Sequence, residues 1–343
     1  MTHLRKIVLG GAAAALMTAG AASTSFATEP GDFTNYLRGA TQGLPLGALP
    51  PPGIYGGFAL NATGLGGSAG RGNQAIPGAG TAPAFGYGTS VLFVPGWTFL
   101  GATYGASVVQ GFYQGETAQA VNPPFTAALG ISPELANTNF TPISLSWNLT
   151  HGWFAAIALT VVGPDGSRWP STAAGAGAVN LNPDYWTLAP GFAVSYLDAN
   201  WLLSANFRYD VNFASQGVTL SPFIGPAANG FISGNLLFGD FTALYKVGKW
   251  SFGPVGYMEL QTTADRPGGG AACTYGVGGR CGWDDQVDVG FLVGYDFGPV
   301  AVQVWTDNTV YSHDNIGYGW DVWGRMTFRI WAPEAAKPLV AKN

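Results

Sequence analysis

The chain has 343 residues, of which 10% are charged and 14% are aromatic, and its formal net charge is −5. Soluble globular domains carry about 25% charged residues, so this composition argues against an ordinary water-exposed surface, and the acidic balance argues against a nucleic-acid partner, which requires basic patches. After the N-terminus no run of about 18 uninterrupted apolar residues occurs, which excludes helical membrane spans.

The N-terminus has the pattern of an export signal. Arg5 and Lys6 precede a long apolar run, and small residues follow it up to Ala27. This order predicts a signal peptide over residues 1–27 that is cleaved after Ala27. An N-terminal core helix is the alternative interpretation.

Residues 28–52 lack the alternation of a strand. Pro50, Pro51 and Pro52 close this stretch and impose an extended segment without ladder hydrogen bonds. If the rest of the chain forms a barrel, the segment lies either in the lumen as a plug or across the periplasmic mouth. An ordered leader into the first strand is equally compatible with the sequence.

From Gly53 onward, apolar and polar residues alternate with the two-residue period of β-strands. In residues 319–331 one face carries Trp320 and Phe328, and the other carries Arg325 and Arg329. A charge that faces mid-bilayer lipid costs about 2–4 kcal/mol, so the charged faces are expected to point into a lumen. The candidate strands are approximately 53–60, 88–94, 96–108, 142–150, 152–162, 184–197, 199–210, 231–247, 249–263, 285–297, 299–307 and 319–331.

The connections between these strands alternate strictly between short and long. Short turns are predicted at Pro95, His151, Asp198, Gly248 and Gly298, and long loops at about 61–87, 109–141, 163–183, 211–230, 264–284 and 308–318. Bacterial outer-membrane barrels have short periplasmic turns and long extracellular loops. The sequence therefore predicts an all-β fold, a transmembrane antiparallel β-barrel of about 12 strands over 53–331, with a periplasmic tail at 332–343. Because strand boundaries can shift by several residues, ten or fourteen strands are also compatible with the pattern.

Aromatic residues lie near both ends of the predicted strands, as in the interfacial girdles of membrane barrels. The girdle beside the short turns is predicted to contain Trp97, Trp153, Tyr196, Trp201, Tyr245, Trp250, Phe297 and Trp331. The girdle beside the long loops is predicted to contain Tyr113, Trp186, Tyr209, Phe231, Trp305 and Trp320.

Polar side chains on the predicted inward faces are the candidates for pore lining. They are Asn206, Arg208, Asp210, Asp240, Tyr257, Glu259, Gln261, Asp288, Asp321, Arg325 and Arg329. Both signs of charge occur, so these side chains either select solutes in an open pore or form a lattice of ion pairs that fills the lumen. Barrels of about 8 strands are filled and barrels of 16–18 strands hold open channels, so twelve strands predict a narrow passage.

Residues with catalytic or metal-binding chemistry are few. Cys273 and Cys281 flank a Gly-rich loop and predict a local disulfide in an exported protein, whereas a metal site is disfavoured because no histidine is near. Ser312 and His313 would be the candidate pair of an outer-membrane hydrolase. Adjacent side chains diverge and cannot easily form a proton relay, so we predict neither an enzyme nor a cofactor.

Several short sequences along the mature chain carry a family resemblance. They are Gly31-Asp-Phe33, Gly47-Ala-Leu-Pro-Pro-Pro-Gly-Ile-Tyr55, Val162-Gly-Pro-Asp-Gly166, Leu181-Asn-Pro-Asp-Tyr-Trp186, Gly256-Tyr-Met-Glu-Leu-Gln-Thr-Thr-Ala-Asp265 and Asp307-Asn308 followed by Gly317. They resemble outer-membrane proteins associated with the meta-cleavage pathway of phenol degradation. The resemblance implies an outer-membrane transporter or channel for aromatic or hydrophobic compounds, and it implies no catalytic residues.

We therefore expect a passive channel in a Gram-negative outer membrane, with lipid, small hydrophobic or aromatic solutes and the barrel-assembly machinery as partners. The tail after Trp331 departs from barrels that end on a terminal aromatic residue, which bears on recognition by that machinery. A general small-solute porin and a structural or adhesive barrel with a closed lumen are the alternatives.

Overall fold

The computed structural model describes residues 34–65, 70–71, 74–75, 84–115, 134–167, 182–215, 232–263, 266, 285–313 and 319–333. The expected signal peptide, the cysteines Cys273 and Cys281, and residues 334–343 of the tail lie outside these ranges. Within the described residues, no helix is long and apolar enough to cross a membrane.

Twelve long strands make up most of the described chain. Their bounds are β1 Gly53–Leu65, β2 Ala84–Val94, β3 Ala102–Gly115, β4 Asn139–Thr150, β5 Trp153–Val162, β6 Thr187–Leu197, β7 Trp201–Asn212, β8 Leu236–Val247, β9 Trp250–Gln261, β10 Asp285–Asp296, β11 Val300–His313 and β12 Trp320–Trp331. Two-residue strands lie in or beside the connections at Gly70–Arg71, Gln74–Ala75, Thr98–Phe99 and Glu134–Leu135.

The long strands close into a ring. Each pairs antiparallel with its neighbours in sequence, and β12 returns to β1, with Ile54 opposite Trp331 and Leu65 opposite Trp320. Because the first and last strands pair, the sheet has no free edge, so every strand backbone can be satisfied inside lipid. The prediction of a transmembrane antiparallel β-barrel with twelve strands is confirmed.

The short turns lie together at one end of the barrel, which is the periplasmic end. The turn between β6 and β7 illustrates how the sequence forms them. The Asp198 carboxylate accepts the backbone N–H of Asn200 at 2.7 Å and of Trp201 at 2.6 Å. These hydrogen bonds, that of Trp201 above all, hold the pKa of the exposed Asp198 carboxyl below its usual value.

The connection between β2 and β3 differs from the predicted turn at Pro95. The hairpin continues past Pro95 through the short strand Thr98–Phe99 and reverses direction at Leu100 and Gly101. Both residues have positive φ, 50° and 77°, which is the backbone conformation of a tight hairpin turn. The predicted strand 96–108 is therefore wrong in its start and its end, since β3 spans Ala102–Gly115.

In the stretch 231–240, where the alternation of the sequence is weak, only the second half belongs to a strand. β8 begins at Leu236, and Ile232 before it forms only isolated bridges to Ala214 and Arg266. Gly234 lies against the side chain of Gln261, where an added Cβ would stand 1.9 Å from its Nε2 atom. This close approach admits only glycine at position 234.

The two faces of the sheet follow the predicted alternation. On β12, Val322 and Met326 face outward and are exposed, whereas Asp321 and Arg325 face inward and are buried. Beside the short turns, aromatic rings of neighbouring strands contact each other. The ring centroids of Trp153 and Tyr196 are 5.1 Å apart. Similar pairs join Trp201 to Tyr245 and Trp250 to Tyr295. This is the arrangement of an interfacial aromatic girdle.

Candidate functional site

The lumen of the barrel contains residues 34–52, which we name the lumenal segment. The segment folds into a series of tight turns. Backbone hydrogen bonds close these turns, among them Ala40 N–H to Leu37 O and Gln42 N–H to Gly39 O, both 3.2 Å. Gly39 and Gly43 have φ of +74° and +77°, which these turns require. The segment contacts inward-facing side chains from its first residues to the start of β1, so it runs along the lumen rather than across its mouth.

Asp240 on β8 is one anchor of the lumenal segment. Its buried carboxylate accepts hydrogen bonds from the Tyr36 hydroxyl at 2.6 Å, the Gly39 N–H at 3.2 Å and the Thr41 N–H at 3.1 Å. The Thr41 hydroxyl also donates to it. Four donors on one carboxylate satisfy a buried charge without a cation in contact.

Arg325 on β12 is the second anchor. Its guanidinium donates to the backbone carbonyl of Ala40 at 3.0 Å and to that of Gln42. It also donates to the side chain of Gln303 and lies over the Trp305 ring, 4.8 Å from the centroid. The side chain is 6% exposed, so this arginine binds the segment and does not border open water.

A polar network joins the lumenal segment to β9, β10 and β12. Arg38 forms an ion pair with Glu259 at 3.1 Å and donates to Gln286 at 2.9 Å. Gln286 donates to the Tyr257 hydroxyl at 2.7 Å, and that hydroxyl donates to Asp321 at 2.9 Å. The network is continuous from the segment to the wall, so displacing Arg38 would disturb several strands at once.

Carboxylates outnumber guanidinium groups in the described part of the lumen. The buried carboxylates are Asp210, Asp240, Glu259, Asp288, Asp307 and Asp321, and the guanidinium groups that contact them or the segment are Arg38, Arg208 and Arg325. The ion pairs within this set are Arg38–Glu259 and Arg208–Asp210. Hydrogen bonds, more than ion pairs, therefore hold the lumenal contents in place.

The structure places the predicted pore-lining residues on the inward face of the barrel. Buried members are Arg208, Asp210, Asp240, Tyr257, Glu259, Gln261, Asp288, Asp321 and Arg325, and Asn206 is half-buried. Arg329 also points inward, opposite Tyr55 of β1, but it is exposed near the periplasmic end. Their role in lining a pore stays a prediction, because most of them contact the segment or one another.

Sequence reasoning placed Trp305 in the outer girdle, and this was wrong. Trp305 and Trp323 face the lumen with 1% and 2% of their surfaces exposed, and their rings stack 5.2 Å apart at 5°. The signal was present in β11, where Gln303, Trp305 and Asp307 share one face by the two-residue period. Because the other residues on that face are polar, the face points into the lumen. The alternation along the strand is therefore a better guide to the position of Trp305 than its closeness to a long loop.

The middle of the wall formed by β1, β2 and β3, between Tyr55 and Asn61 of β1, differs from the rest of the lumen because its inward side chains are small and uncharged. We name it the small-residue wall, and its members are Gly57, Ala59, Gly86, Gly88, Ser90, Ser107, Val109 and Gly111. Val109 lies opposite Asn139, whose amide donates to the carbonyl of Asn35 in the segment. Although it faces inward, Val109 is 41% exposed, so space remains between this wall and the segment.

Comparison with known families identifies the chain. The family model described as "Putative MetA-pathway of phenol degradation" matches residues 66–320. The chain belongs to this family. The expected resemblance is thereby confirmed, and it covers most of the barrel. A comparison of the sequence with curated proteins finds no match.

Solved structures place the family fold among outer-membrane barrels. A crystal structure of an outer membrane channel from Pseudomonas putida F1 superposes with a TM-score of 0.66 at 11% identity, covering 82% of this chain and 97% of that one. The NanC porin has a TM-score of 0.42 at 10% identity, covering 80% and 98%. The Pseudomonas putida toluene transporter TodX has a TM-score of 0.37 at 9% identity, covering 82% and 90%. The first similarity shows the fold, and we place the chain in the outer membrane.

Proposed function

We propose that the protein is a passive outer-membrane channel for small apolar or aromatic compounds. The observation that carries this proposal is the small-residue wall, where space beside the lumenal segment is bordered by side chains without charge. A neutral apolar solute loses few hydrogen bonds to water when it passes such a wall. A hydrated ion or sugar would lose its bound water there and find no polar side chain to replace it. The family description, which refers to phenol degradation, supports an aromatic solute.

A barrel with a structural role and a closed lumen is the second candidate. The anchors at Asp240 and Arg325 favour it, because both are buried and hold the segment through several hydrogen bonds each. A general porin is less compatible with the lumen, since the segment and its network occupy the polar side of the passage.

Uptake by intact cells distinguishes these functions. Expression of the chain is expected to raise the initial uptake rate of a ring-labelled aromatic solute and to leave that of sucrose unchanged. Replacing Ser90 by Trp should abolish the gain, because the indole fills the space beside the segment. Val91→Trp is the matched control, since the adjacent side chain faces lipid and is 40% exposed.

The remaining outcomes identify the alternatives. Equal gains for sucrose and the aromatic solute would indicate a general porin. No gain for either solute, with the barrel correctly folded in the membrane, would indicate a closed structural barrel and would contradict the proposed function.

We also propose that the barrel-assembly machinery recognises the end of β12. This strand pairs with β1 and ends on the exposed aromatic residue Trp331. In this proposal the machinery recognises a strand end that is followed by the tail and does not carry the chain's carboxyl terminus. Removal of residues 334–343 should leave the yield of folded barrel unchanged if the strand itself carries the signal.

A further inference from the structure

The reversal of the β2–β3 hairpin, residues 97–101, carries the most exposed apolar side chains that the structure describes. We name this stretch the hairpin tip. Trp97, Phe99 and Leu100 are 65%, 59% and 75% exposed, which are the three highest values among the described large apolar residues. A contiguous exposed apolar patch marks a surface that contacts another molecule or a membrane.

The other described turns at the periplasmic end are polar where the chain reverses. His151, Asp198 and Lys249 lie at the reversals of three of these hairpins, and all three are exposed. Such residues suit an aqueous periplasm. The hairpin tip does not, because its exposed side chains would lose water-free contacts there and gain no hydrogen bonds.

The backbone of the hairpin tip favours a residue other than leucine at position 100. Leu100 and Gly101 both have positive φ, 50° and 77°, and two-residue turns of this kind prefer Asn-Gly or Asp-Gly. The left-handed conformation is unfavourable for leucine because its Cβ lies too close to the following carbonyl oxygen. A Cβ added at Gly101 would meet nothing within 4 Å beyond its chain neighbours. An apolar side chain at this turn therefore points to a contact outside the chain.

The hairpin tip lies beside the outer surface of the barrel. A bulge at Pro95 and Gly96 interrupts the pairing of β2 with β3 just before it, and bulges bend the strands that contain them. Beyond the bulge, the Leu100 carbonyl accepts the indole N–H of Trp147 at 3.1 Å. Trp147 is on the outward face of β4, since the adjacent Ser146 points inward and donates to the lumenal segment.

The hairpin tip is also continuous with the aromatic girdle. The ring of Trp97 stacks on that of Tyr104 of β3, with centroids 5.8 Å apart and planes at 21°. Trp147 lies opposite Ala155 of β5, two residues from the girdle residue Trp153. Because aromatic girdles mark the interface between membrane and water, these contacts place the tip at the level of the lipid head groups or deeper.

We infer that the hairpin tip inserts into the periplasmic leaflet of the outer membrane. Phe99 and Leu100 lie among the phospholipid acyl chains, where their apolar surface leaves water, and Trp97 lies at the head-group level. The tip is then an anchor that fixes the depth of β2 and β3 in the leaflet. This inference concerns the seating of the barrel and does not depend on which solute the barrel conducts.

Spin-label accessibility tests the inference on the barrel reconstituted into vesicles of phosphatidylethanolamine and phosphatidylglycerol. The label is attached at Leu100→Cys, with Cys273→Ser and Cys281→Ser to remove the other thiols. Ala199→Cys in the exposed β6–β7 turn is the matched control. We expect the label at position 100 to collide mainly with oxygen, which concentrates in acyl chains, and the label at position 199 to collide mainly with a water-soluble nickel complex.

Urea unfolding of Leu100→Asp in the same vesicles gives a second measurement that needs no label. Asp-Gly suits the turn better than Leu-Gly, so this variant would be more stable than the wild-type protein if the tip lay in water. We expect instead that the equilibrium constant for folding falls about tenfold, because a leucine that leaves water is lost. Ala199→Asp should leave the constant unchanged.

Main access of the nickel complex to position 100, or a stabilising effect of Leu100→Asp, would place the tip in the periplasm and overturn the inference. Magnetic coupling between labels at position 100 of two barrels would also overturn it, because the tip would then contact a second copy of the chain in place of lipid.

Discussion

Replacing Arg325 by alanine is expected to lower the free energy of unfolding by about 3 kcal/mol, because hydrogen bonds to charged groups contribute about 1.5–3 kcal/mol each and their buried partners would be left unpaired. The carbonyls of Ala40 and Gln42 and the amide of Gln303 lose their donor together. The lumenal segment would also lose one of its two anchors. Urea unfolding in detergent measures the first effect, and protease cleavage within residues 34–52 measures the second.

Arg329→Ala is the matched control on the same face of β12. Arg329 is exposed near the periplasmic end of the lumen, so we expect unchanged stability and a shift of ion selectivity in planar bilayers. If Arg325→Ala changed selectivity and left both stability and protease resistance as in the wild-type protein, Arg325 would border an open pore. Its assignment as an anchor would then be wrong.

Replacing Trp305 by alanine is expected to lower the free energy of unfolding by about 3–5 kcal/mol, as for large-to-small substitutions of buried aromatic residues. Trp305 stacks on Trp323, supports the Arg325 guanidinium, and belongs to the buried cluster with Leu244 and Leu292. Its removal would leave a cavity in the lumen below the segment. The temperature at which the folded band converts to the unfolded band in gels should fall accordingly.

Trp320→Ala, on the other face of β12, provides the comparison. Trp320 is 52% exposed on the outside of the barrel near the long loops. Its loss should change stability much less in detergent, because it leaves no internal cavity. Similar losses of stability for the two tryptophans would mean that Trp305 does not fill the lumen, and the description of the buried cluster would fail.

The barrel itself could be predicted from the sequence because its signals are local. A strand needs only a two-residue period, and the alternation of short and long connections then indicates the direction of the strands and their approximate number. The turn at Pro95 was misplaced because proline is a general signal of turns. The actual reversal depends on positive φ at Leu100 and Gly101, and a leucine gives no warning of that conformation.

The lumenal contacts could be predicted only in part. The period identified Arg325 and Asp240 as inward residues, but not what they bind. Arg325 donates to the carbonyl of a residue 285 positions away in sequence. The lumenal segment has no periodicity, because its hydrogen bonds go to side chains of the wall and to its own turns. No local pattern encodes such a partner.

The small-residue wall was also missed, for a different reason. Glycine and alanine on an inward face give only a weak strand signal. Whether they leave open space in the lumen depends on which residues lie opposite them on the paired strand. Only the register of β1 against β2 brings Ala59 to Gly88 and Asn61 to Gly86. The open side of the lumen is therefore a property of strand pairing and not of any single strand.

In the proposed channel the lumen is the solute passage and residues 34–52 occupy it. Planar-bilayer conductance of the full chain, compared with a variant that lacks residues 28–46, tests this most directly. The deletion ends before Gly47, so it keeps the hydrogen bonds between the Gly47 backbone and the Ser146 and Ser195 hydroxyls near the periplasmic end of the barrel. We expect brief, small conductance steps from the full chain and large, long-lived steps from the deletion variant. A deletion variant that folds, as shown by its heat-dependent gel mobility, and yet conducts no more than the full chain would contradict the account.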